Sequence, residues 1–423
     1  MVTAVVPPAQ DVLFHVLLAL VVVVAAARVC GALVARLHQP AVMGEVLAGI
    51  LLGPSLLGQI APAAMHYLQP PSIAPILSVV AQLGVMLFMF LVGLELDTAR
   101  LGRRTRAMFV ISQVSIVVPF LLGMGLAVFL YPRLSTADVP FTVFALFLGV
   151  SLSVTAFPVL ARILTDRGLQ GSELGLVALS CAAVGDVTAW CLLAFVTAAA
   201  SAAVSSAWIT LGATALYLAV MFVVARPLVA RAVRAQELRG AVSQGAIALA
   251  IVGMLLSALA TEAAGIHAIF GAFLAGAIIP HESRLAQTLT RALADLVVVL
   301  FLPVFFASTG MRTEIGLVSG AAQWLLCGLI ILTASAGKFG GAFAAARVMG
   351  FGARDAAALG VLMNTRGLME LIVLNVGLER GILTPALFAM LVLMAVATTF
   401  ATTPLLDRLL RHAGAPAAAP VRS

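Results

Sequence analysis

Long apolar runs, separated by short polar segments, alternate along nearly the whole chain. A helix of about 20 apolar residues matches the roughly 30 Å thickness of a bilayer's hydrocarbon core. Lipid offers the backbone no hydrogen-bond partner, so such runs are expected to be helical. The pattern predicts an all-α polytopic membrane protein with thirteen transmembrane helices. The predicted spans are 12–37, 41–58, 73–95, 106–130, 140–164, 171–199, 207–234, 243–263, 265–280, 286–311, 318–346, 355–378 and 385–407.

Composition and charge agree with a membrane location. Hydrophobic residues make up 63% of the chain and charged residues 10%, and the net charge of +7 comes from an excess of arginine. With thirteen helices, eighteen basic residues fall in one set of loops and only Arg133, Arg312 and Arg380 in the other. The positive-inside rule then predicts an N-terminus outside and a cytoplasmic C-terminus. We expect the membrane to be a bacterial inner membrane. The basic balance therefore gives no reason to expect nucleic acid as a partner.

Two pairs of segments echo each other between the halves of the chain. GEVLAGILLGP (44–54) is similar to IFGAFLAGAIIP (269–280), and LFMFLVGLELD (87–97) to PVFFASTGMRTE (303–314). The first pair lies in the second helix of two six-helix sets, helices 1–6 and 8–13, and the second pair lies in the third helix. Helix 7 joins the sets, so the second set begins on the opposite face of the membrane. The sequence thus predicts an inverted repeat, typical of secondary transporters. It comprises repeat one (12–199), a linker helix (207–234) and repeat two (243–407) in a single membrane transport domain (1–423), with a short cytoplasmic tail (408–423).

The fifth helix of each repeat is interrupted by residues that suit a helix poorly. Proline removes a backbone donor and clashes with the preceding turn, and the freed carbonyls must find partners in the membrane. We therefore expect two broken helices that cross near the midplane, where transporter sites lie. The polar residues at these positions are Ser153 and Thr155, ahead of Pro158, and then Asn364, Thr365, Arg366, Gly367 and Glu370.

Lys338, the single lysine, interrupts an apolar run nine residues before Arg347. At 1.5 Å per helical residue it lies about 13 Å from the polar edge of the run. A charge at that depth is costly and marks a functional candidate. Lys338 is a candidate counter-charge for Asp186, a stabiliser of broken helix ends or a proton carrier. The alternative is an ammonium that snorkels to the membrane edge.

Asp186 lies in the middle of another apolar run, LVALSCAAVGDVTAWCLLAFV. Its carboxylate is expected to hold a proton and a monovalent cation alternately, because desolvation and nearby positive charge act in opposite directions on its proton affinity. The alternative is a structural aspartate that is capped by hydroxyls or paired permanently with Lys338.

The neighbouring polar residues each allow two interpretations. Arg366 and Glu370 have the i,i+4 spacing of an ion pair, which has either a structural or a direct transport role. Asn364 offers either a cation-ligating oxygen or a helix cap. Thr155 offers a hydroxyl near the site or an ordinary bond back to its own helix.

Motifs of soluble catalysts are missing from the sequence: it has no nucleotide-binding loop, HExxH or GxSxG. We therefore expect a protein that is not an enzyme, with no cofactor, structural metal or nucleotide-binding domain. Without such machinery, transport has to be driven by an ion gradient.

Five segments together resemble the monovalent cation:proton antiporters of the sodium/hydrogen exchanger superfamily, in particular the potassium-type branch that includes plant cation/proton exchangers. They are SVTAFPVLARIL, CAAVGDVTAWCLLA, FFASTGMRTEI, AGKFGG and NTRGLMELIVLNVG. The resemblance implies a homodimer in which a core domain moves past a fixed dimerisation domain. It matches Asp186 to the ion-binding aspartate, Thr155 to the first crossing helix and Lys338 to the basic residue facing the site. Asn364, Arg366 and Glu370 match the second crossing helix.

The chain departs from the family pattern at two places. Gly185 stands where the family usually carries Asp, Asn or Gln before the essential aspartate, and members with two aspartates are generally electrogenic. We therefore expect electroneutral exchange, with Lys338 pairing with Asp186 in the empty state. The C-terminal regulatory domain of many relatives is also missing, so regulation through such a domain is not expected.

The resulting hypothesis is an antiporter that exchanges K⁺ or Na⁺ for H⁺ by alternating access, with Asp186 binding either ion. Alternatives are a sodium-coupled organic anion transporter on the same inverted-repeat core, a cation channel or a membrane sensor. The sequence does not distinguish K⁺ from Na⁺, because that selectivity depends on the geometry of the oxygen ligands.

Overall fold

A computed structural model describes residues 9–37, 39–95, 105–169, 172–200, 204–238, 240, 242–264 and 267–411. Within these ranges all the regular secondary structure is helical. The predicted loop around 96–104, with three of its arginines, and most of the predicted cytoplasmic tail lie outside the described residues.

The described ranges contain nineteen α-helices. They are α1 (Ala9–Arg36), α2 (Ala41–Leu52), α3 (Leu57–Ile60), α4 (Pro62–Leu68), α5 (Ala74–Glu95), α6 (Thr105–Leu134), α7 (Phe141–Ser153), α8 (Phe157–Asp166), α9 (Glu173–Ala200), α10 (Val204–Ala219), α11 (Arg226–Leu238), α12 (Gln244–Ala263), α13 (Ala268–Ala277), α14 (Arg284–Leu296), α15 (Leu302–Met311), α16 (Gly320–Val348), α17 (Ala353–Met363), α18 (Leu368–Glu379) and α19 (Pro385–Arg411). Two π-helical segments, Val220–Ala225 and Val297–Phe301, and a 3₁₀ turn, Ile315–Leu317, join some of them.

Ten helical segments among the described residues are long and apolar enough to cross a membrane. They are Asp11–Arg36, Ala41–Ile60, Ala74–Glu95, Arg106–Leu134, Glu173–Leu193, Gly212–Leu238, Gln244–Ala263, Arg284–Leu317, Gly320–Val348 and Pro385–Leu410. Each coincides with one of the predicted spans. The other three predicted spans, 140–164, 265–280 and 355–378, contain shorter helices.

Two predicted helices are less regular than the apolar pattern indicated. The segment 41–58 is not one helix, since α2 ends at Leu52 just before Pro54 and α3 begins at Leu57. Proline at 54 cannot donate to the helix ladder, which accounts for the break. The segment 286–311 contains the π-helical turn Val297–Phe301 immediately before Pro303, where the missing N–H also disturbs the ladder.

The helices form two compact units. One unit holds α1–α5 and the segment from Trp208 to Glu314. In it α2 packs against α15 and α5 against α13. Glycines allow both contacts: a methyl group on Gly49 would overlap the carbonyl oxygen of Ala307, and one on Gly276 would overlap that of Phe90. Backbones that approach through small residues are typical of membrane helices.

The other unit holds α6–α9 and the chain from Ile315 onwards. Its central helix, α16, packs against α6, α7, α17 and α19. A methyl group on Gly337 would lie 2.8 Å from the Cα of Pro119, so glycine is needed for α16 to approach α6 closely. This contact brings Lys338, the next residue, to the inside of the unit.

Candidate functional site

The two interrupted helices lie in the unit that contains α16. The first interruption, Val154–Ala156, separates α7 from α8, and the second, from Asn364 to Gly367, separates α17 from α18. The sequence predicted both positions. Polar backbone groups left free by such breaks must be satisfied within the protein.

The interruptions satisfy part of each other's hydrogen bonding. The backbone N–H of Ala156 donates to the carbonyl of Thr365 at 3.0 Å. The hydroxyl of Thr155 donates to the carbonyl of Met363, the last residue of α17, at 3.1 Å. Thr155 therefore does not bond back to its own helix; it caps the other interrupted helix.

Two cationic side chains occupy the C-terminal end of α7. The guanidinium of Arg366 donates to the carbonyls of Ser151 at 3.2 Å and Leu152 at 2.7 Å. The ammonium of Lys338 donates to the carbonyl of Ser153 and, at 3.0 Å, to that of Ser115 on α6. The last carbonyls of a helix lack partners in their own helix and carry the negative end of its dipole, so both cations are favourably placed. Lys338 is completely buried, which does not fit snorkelling.

Glu370 lies in the first turn of α18, where the helix dipole favours a negative charge. Its carboxylate forms a 2.8 Å ion pair with Arg366, so the predicted pair is present. Arg366 precedes α18, so the two side chains meet across the helix start and not within one helix. The backbone of Arg366 is held by Thr399 of α19, whose hydroxyl accepts from its N–H at 2.8 Å and donates to its carbonyl at 2.6 Å.

Asp186 lies in α9, which packs against α7, α8 and α17. Only 3% of the residue is exposed, and its Oδ1 has no hydrogen-bond partner within the described residues. Lys338 interacts with it electrostatically. Among the described residues, however, no ion pair within 4.0 Å joins the two. The ammonium is instead bound to helix carbonyls, so the expected direct pairing is not the arrangement observed.

The remaining predicted polar residues also lie at the interruptions. The hydroxyl of Ser153 bonds back to the carbonyl of Val150 at 2.9 Å, so only its carbonyl faces Lys338. Thr365 is buried, and its hydroxyl has no partner in the described part of the chain. The amide nitrogen of Asn364 donates to the hydroxyl of Ser335 at 3.4 Å, whereas its oxygen is buried without a partner.

Sequence reasoning missed Ser115, Ser335 and Thr399, which contact the predicted residues from α6, α16 and α19. Ser115 contributes only its backbone carbonyl. Ser335 and Thr399 lie in apolar runs that contain other hydroxyl residues, where a bond to the residue's own helix is the usual role. The local sequence therefore carried no signal that distinguished them.

Buried charges and unpartnered oxygens thus meet where two helices are interrupted. Lys338 and Arg366 supply two positive charges, and Glu370 and ionised Asp186 supply two negative ones. An unpartnered carboxylate oxygen in such a place can accept a proton or a small cation.

Comparison with known proteins identifies the family. The family model for the sodium/hydrogen exchanger, transmembrane, matches residues 21–411. The chain is 41% identical to the Na⁺/H⁺ antiporter NhaS4 of Synechocystis, over 94% of this chain and 98% of that protein. It is 40% identical to Cation/H⁺ antiporter 20 of Arabidopsis thaliana over 90% of this chain, which spans about half (47%) of the plant protein.

A solved structure has a similar fold. The sodium proton antiporter MjNhaP1 from Methanocaldococcus jannaschii matches 94% of this chain and 97% of its own, with a TM-score of 0.67. The sequences are only 14% identical, so this likeness concerns the fold alone. The extent of the family match and the identity to NhaS4 settle the classification: this chain is an integral membrane protein that belongs to the sodium/hydrogen exchanger family.

Proposed function

We propose that this protein exchanges a monovalent cation, K⁺ or Na⁺, for H⁺ across the membrane, and that Asp186 binds either ion. The observation that carries the proposal is the unpartnered, buried carboxylate oxygen of Asp186 beside the two interrupted helices. The family consists of secondary transporters, so the protein is not an enzyme. The name of its relative NhaS4 is that of a cation/proton antiporter.

Antiport follows from the use of one carboxylate for two cargoes. The two cations cannot occupy the same oxygen, so each must leave before the other binds. If the site is open to only one side of the membrane at a time, every cycle carries a cation one way and a proton the other. Loading with either cargo adds a single positive charge, so we propose an electroneutral cycle. Gly185, which precedes Asp186, has no carboxylate that could carry a second proton.

Lys338 and Arg366 serve, on this proposal, as fixed charges that stabilise the interrupted helix end. Their donors are directed at the carbonyls of Ser151, Leu152 and Ser153. This arrangement does not favour an organic anion as cargo, because the donors that would recognise its carboxylate are already engaged. A channel or a sensor has no corresponding need for an ion site that accommodates one cargo at a time.

The architecture that we propose has thirteen spans arranged as two inverted repeats with crossing interrupted helices. Matched glycines support it: Gly49 and Gly276 occupy equivalent places in the two echoed segments, and so do Gly93 and Gly310. Gly49 packs on α15 beside Gly310, and Gly276 packs on α5 beside Gly93. The same contact is thus made twice, with the partners exchanged between the two halves of the chain. We also propose an outside N-terminus and a bacterial inner membrane.

The two compact units correspond, on this proposal, to the dimerisation and core domains of a homodimeric exchanger. The unit that contains Asp186 is the one that would move to expose the site alternately to each side. Each unit draws helices from both halves of the chain.

Exchange by reconstituted protein tests the proposal. Purified protein in liposomes that contain a pH dye is given K⁺, Na⁺ or Li⁺ across a proton gradient. We expect the cation to relax the gradient with wild type, and no relaxation with a folded Asp186→Asn variant. Exchange that persists in Asp186→Asn, or no cation response in wild type, would remove the assignment.

A further inference from the structure

Ser335 connects α16 to the second interruption. It lies three residues before Lys338, so both side chains are on the same face of α16. Lys338 bonds to the end of α7, and the hydroxyl of Ser335 bonds to Asn364 at the end of α17. One helix face therefore contacts both interrupted helix ends.

The Ser335 hydroxyl is the hydrogen-bond partner of the Asn364 side-chain amide. A side-chain amide has an acceptor oxygen on one side and a donor NH₂ on the other, and a half-turn exchanges them. The amide nitrogen faces Ser335, and the oxygen is buried without a partner in the described part of the chain. A buried acceptor without a partner is unfavourable, and a cation at that oxygen would offset this cost.

Little else restrains the amide on that side. A cavity of about 310 Å³ borders it, and the polar side chains that line the cavity are Ser335, Asn364, Thr398 and Thr402. The hydroxyls of Thr398 and Thr402 donate to carbonyls of their own helix, α19. Without the Ser335 hydroxyl, the amide would be free to rotate towards the cavity.

We propose that Ser335 is a positioning residue that holds the oxygen of Asn364 towards the transported cation and thereby contributes to the choice between K⁺ and Na⁺. The inference rests on the proposed antiport function. An uncharged amide oxygen distinguishes cations by how closely they approach it, whereas a proton needs only the Asp186 carboxylate. The arrangement therefore acts on the cation half of the cycle and leaves the proton half alone.

The test compares apparent KM values for K⁺ and Na⁺ in the liposome assay at fixed pH. Ser335→Ala is expected to change the ratio of the two KM values roughly three- to tenfold, the range that one neutral hydrogen bond supports. Ser335→Thr, which keeps the hydroxyl, should restore the ratio. In an Asn364→Ala background, Ser335→Ala should have no further effect, because the group on which it acts is gone.

Thr402→Val is the matched control. It removes a hydroxyl from the same cavity without touching the amide, so the KM ratio should stay at the wild-type value. Thermal stability in detergent is measured for all variants, since a purely structural role for Ser335 would lower stability and leave the ratio unchanged. That result, or an additive effect in the double variant, would overturn the inference even though wild type exchanges ions. Absence of exchange in wild type would instead count against the antiport proposal itself.

Discussion

Arg366 and Glu370 form a 2.8 Å ion pair in which both side chains are completely buried. The same guanidinium also bonds to the carbonyls of Ser151 and Leu152, so the pair ties the start of α18 to the end of α7. Removing two charges from water is costly, and a buried pair persists only where further hydrogen bonds complete it. Here those bonds are the carbonyls that the interruption of the first helix leaves free.

Glu370→Gln should therefore destabilise the protein strongly. The substitution leaves the charge of Arg366 buried without its counter-charge, and breaking such a pair typically costs about 3–5 kcal/mol. Thermal unfolding of the purified variant in detergent measures the loss. Arg366→Lys should not substitute for wild type, because one ammonium cannot reach two carbonyls and a carboxylate in the fork geometry of a guanidinium.

Glu379→Gln is the control for this prediction, since Glu379 lies on the exposed end of the same helix. Interactions of an exposed carboxylate contribute at most about 1 kcal/mol, so this substitution should cost far less than Glu370→Gln. Equal stability of Glu370→Gln and Glu379→Gln would show that the buried pair does not support the interruption.

The sequence identified those residues of the site whose burial in a membrane is energetically costly. Asp186 and Lys338 stand out because charges inside apolar runs are expensive. The spacing of Arg366 and Glu370 indicated their ion pair, although Arg366 lies ahead of α18 and not within it. The prediction that Lys338 pairs directly with Asp186 does not match the structure, in which the ammonium donates to the free carbonyl of Ser153.

Other structural features of the protein could not be predicted from the local pattern of apolar and polar residues. Thr399 holds the backbone of Arg366 from 33 residues away, and nothing in its neighbourhood separates it from a threonine that bonds to its own helix. The π-helical turn before Pro303 and the early end of α2 likewise depend on how single residues disturb an otherwise apolar run. Tertiary contacts decide such details, and one sequence does not contain them explicitly.

Lys338→Gln is expected to shift the pH profile of exchange. The variant removes a buried positive charge that interacts electrostatically with Asp186, the group proposed to carry the proton. The rate of cation-driven pH relaxation, measured across a range of pH, gives the profile. A profile that keeps its position in folded Lys338→Gln would mean that the ammonium acts only on the helix carbonyls.

Gly185→Asp should fold and make exchange sensitive to voltage. A Cβ at this position would lie 3.5 Å from the hydroxyl of Ser112 and 3.6 Å from Cδ1 of Ile116, which is ordinary contact. A second carboxylate can carry a proton of its own, so that two protons return for each cation and every cycle moves one net charge. Exchange with Na⁺ is measured with the membrane potential free and clamped; Gly185→Ala should remain indifferent to the clamp, and so should wild type.

Gly49→Ala should lower stability, whereas Gly253→Ala should not. A methyl group on Gly49 overlaps the carbonyl oxygen of Ala307, and backbone cannot give way as a flexible side chain would. No atom lies within 4 Å of a Cβ built on Gly253, which is exposed on α12. Thermal unfolding of the two variants in the same detergent compares them directly. Similar midpoints would mean that α2 and α15 do not rely on the close contact.

Competition at one carboxylate makes a quantitative prediction for wild type. Where the proton form of Asp186 dominates, each unit fall in pH should raise the apparent KM for the cation about tenfold, since the cation must displace a proton that is tenfold more concentrated. The maximal rate at saturating cation should change much less over the same range. Initial rates at several pH values and cation concentrations separate the two effects. Separate sites for the two cargoes would leave the KM nearly constant and lower the maximal rate instead, which would contradict the single-carboxylate mechanism.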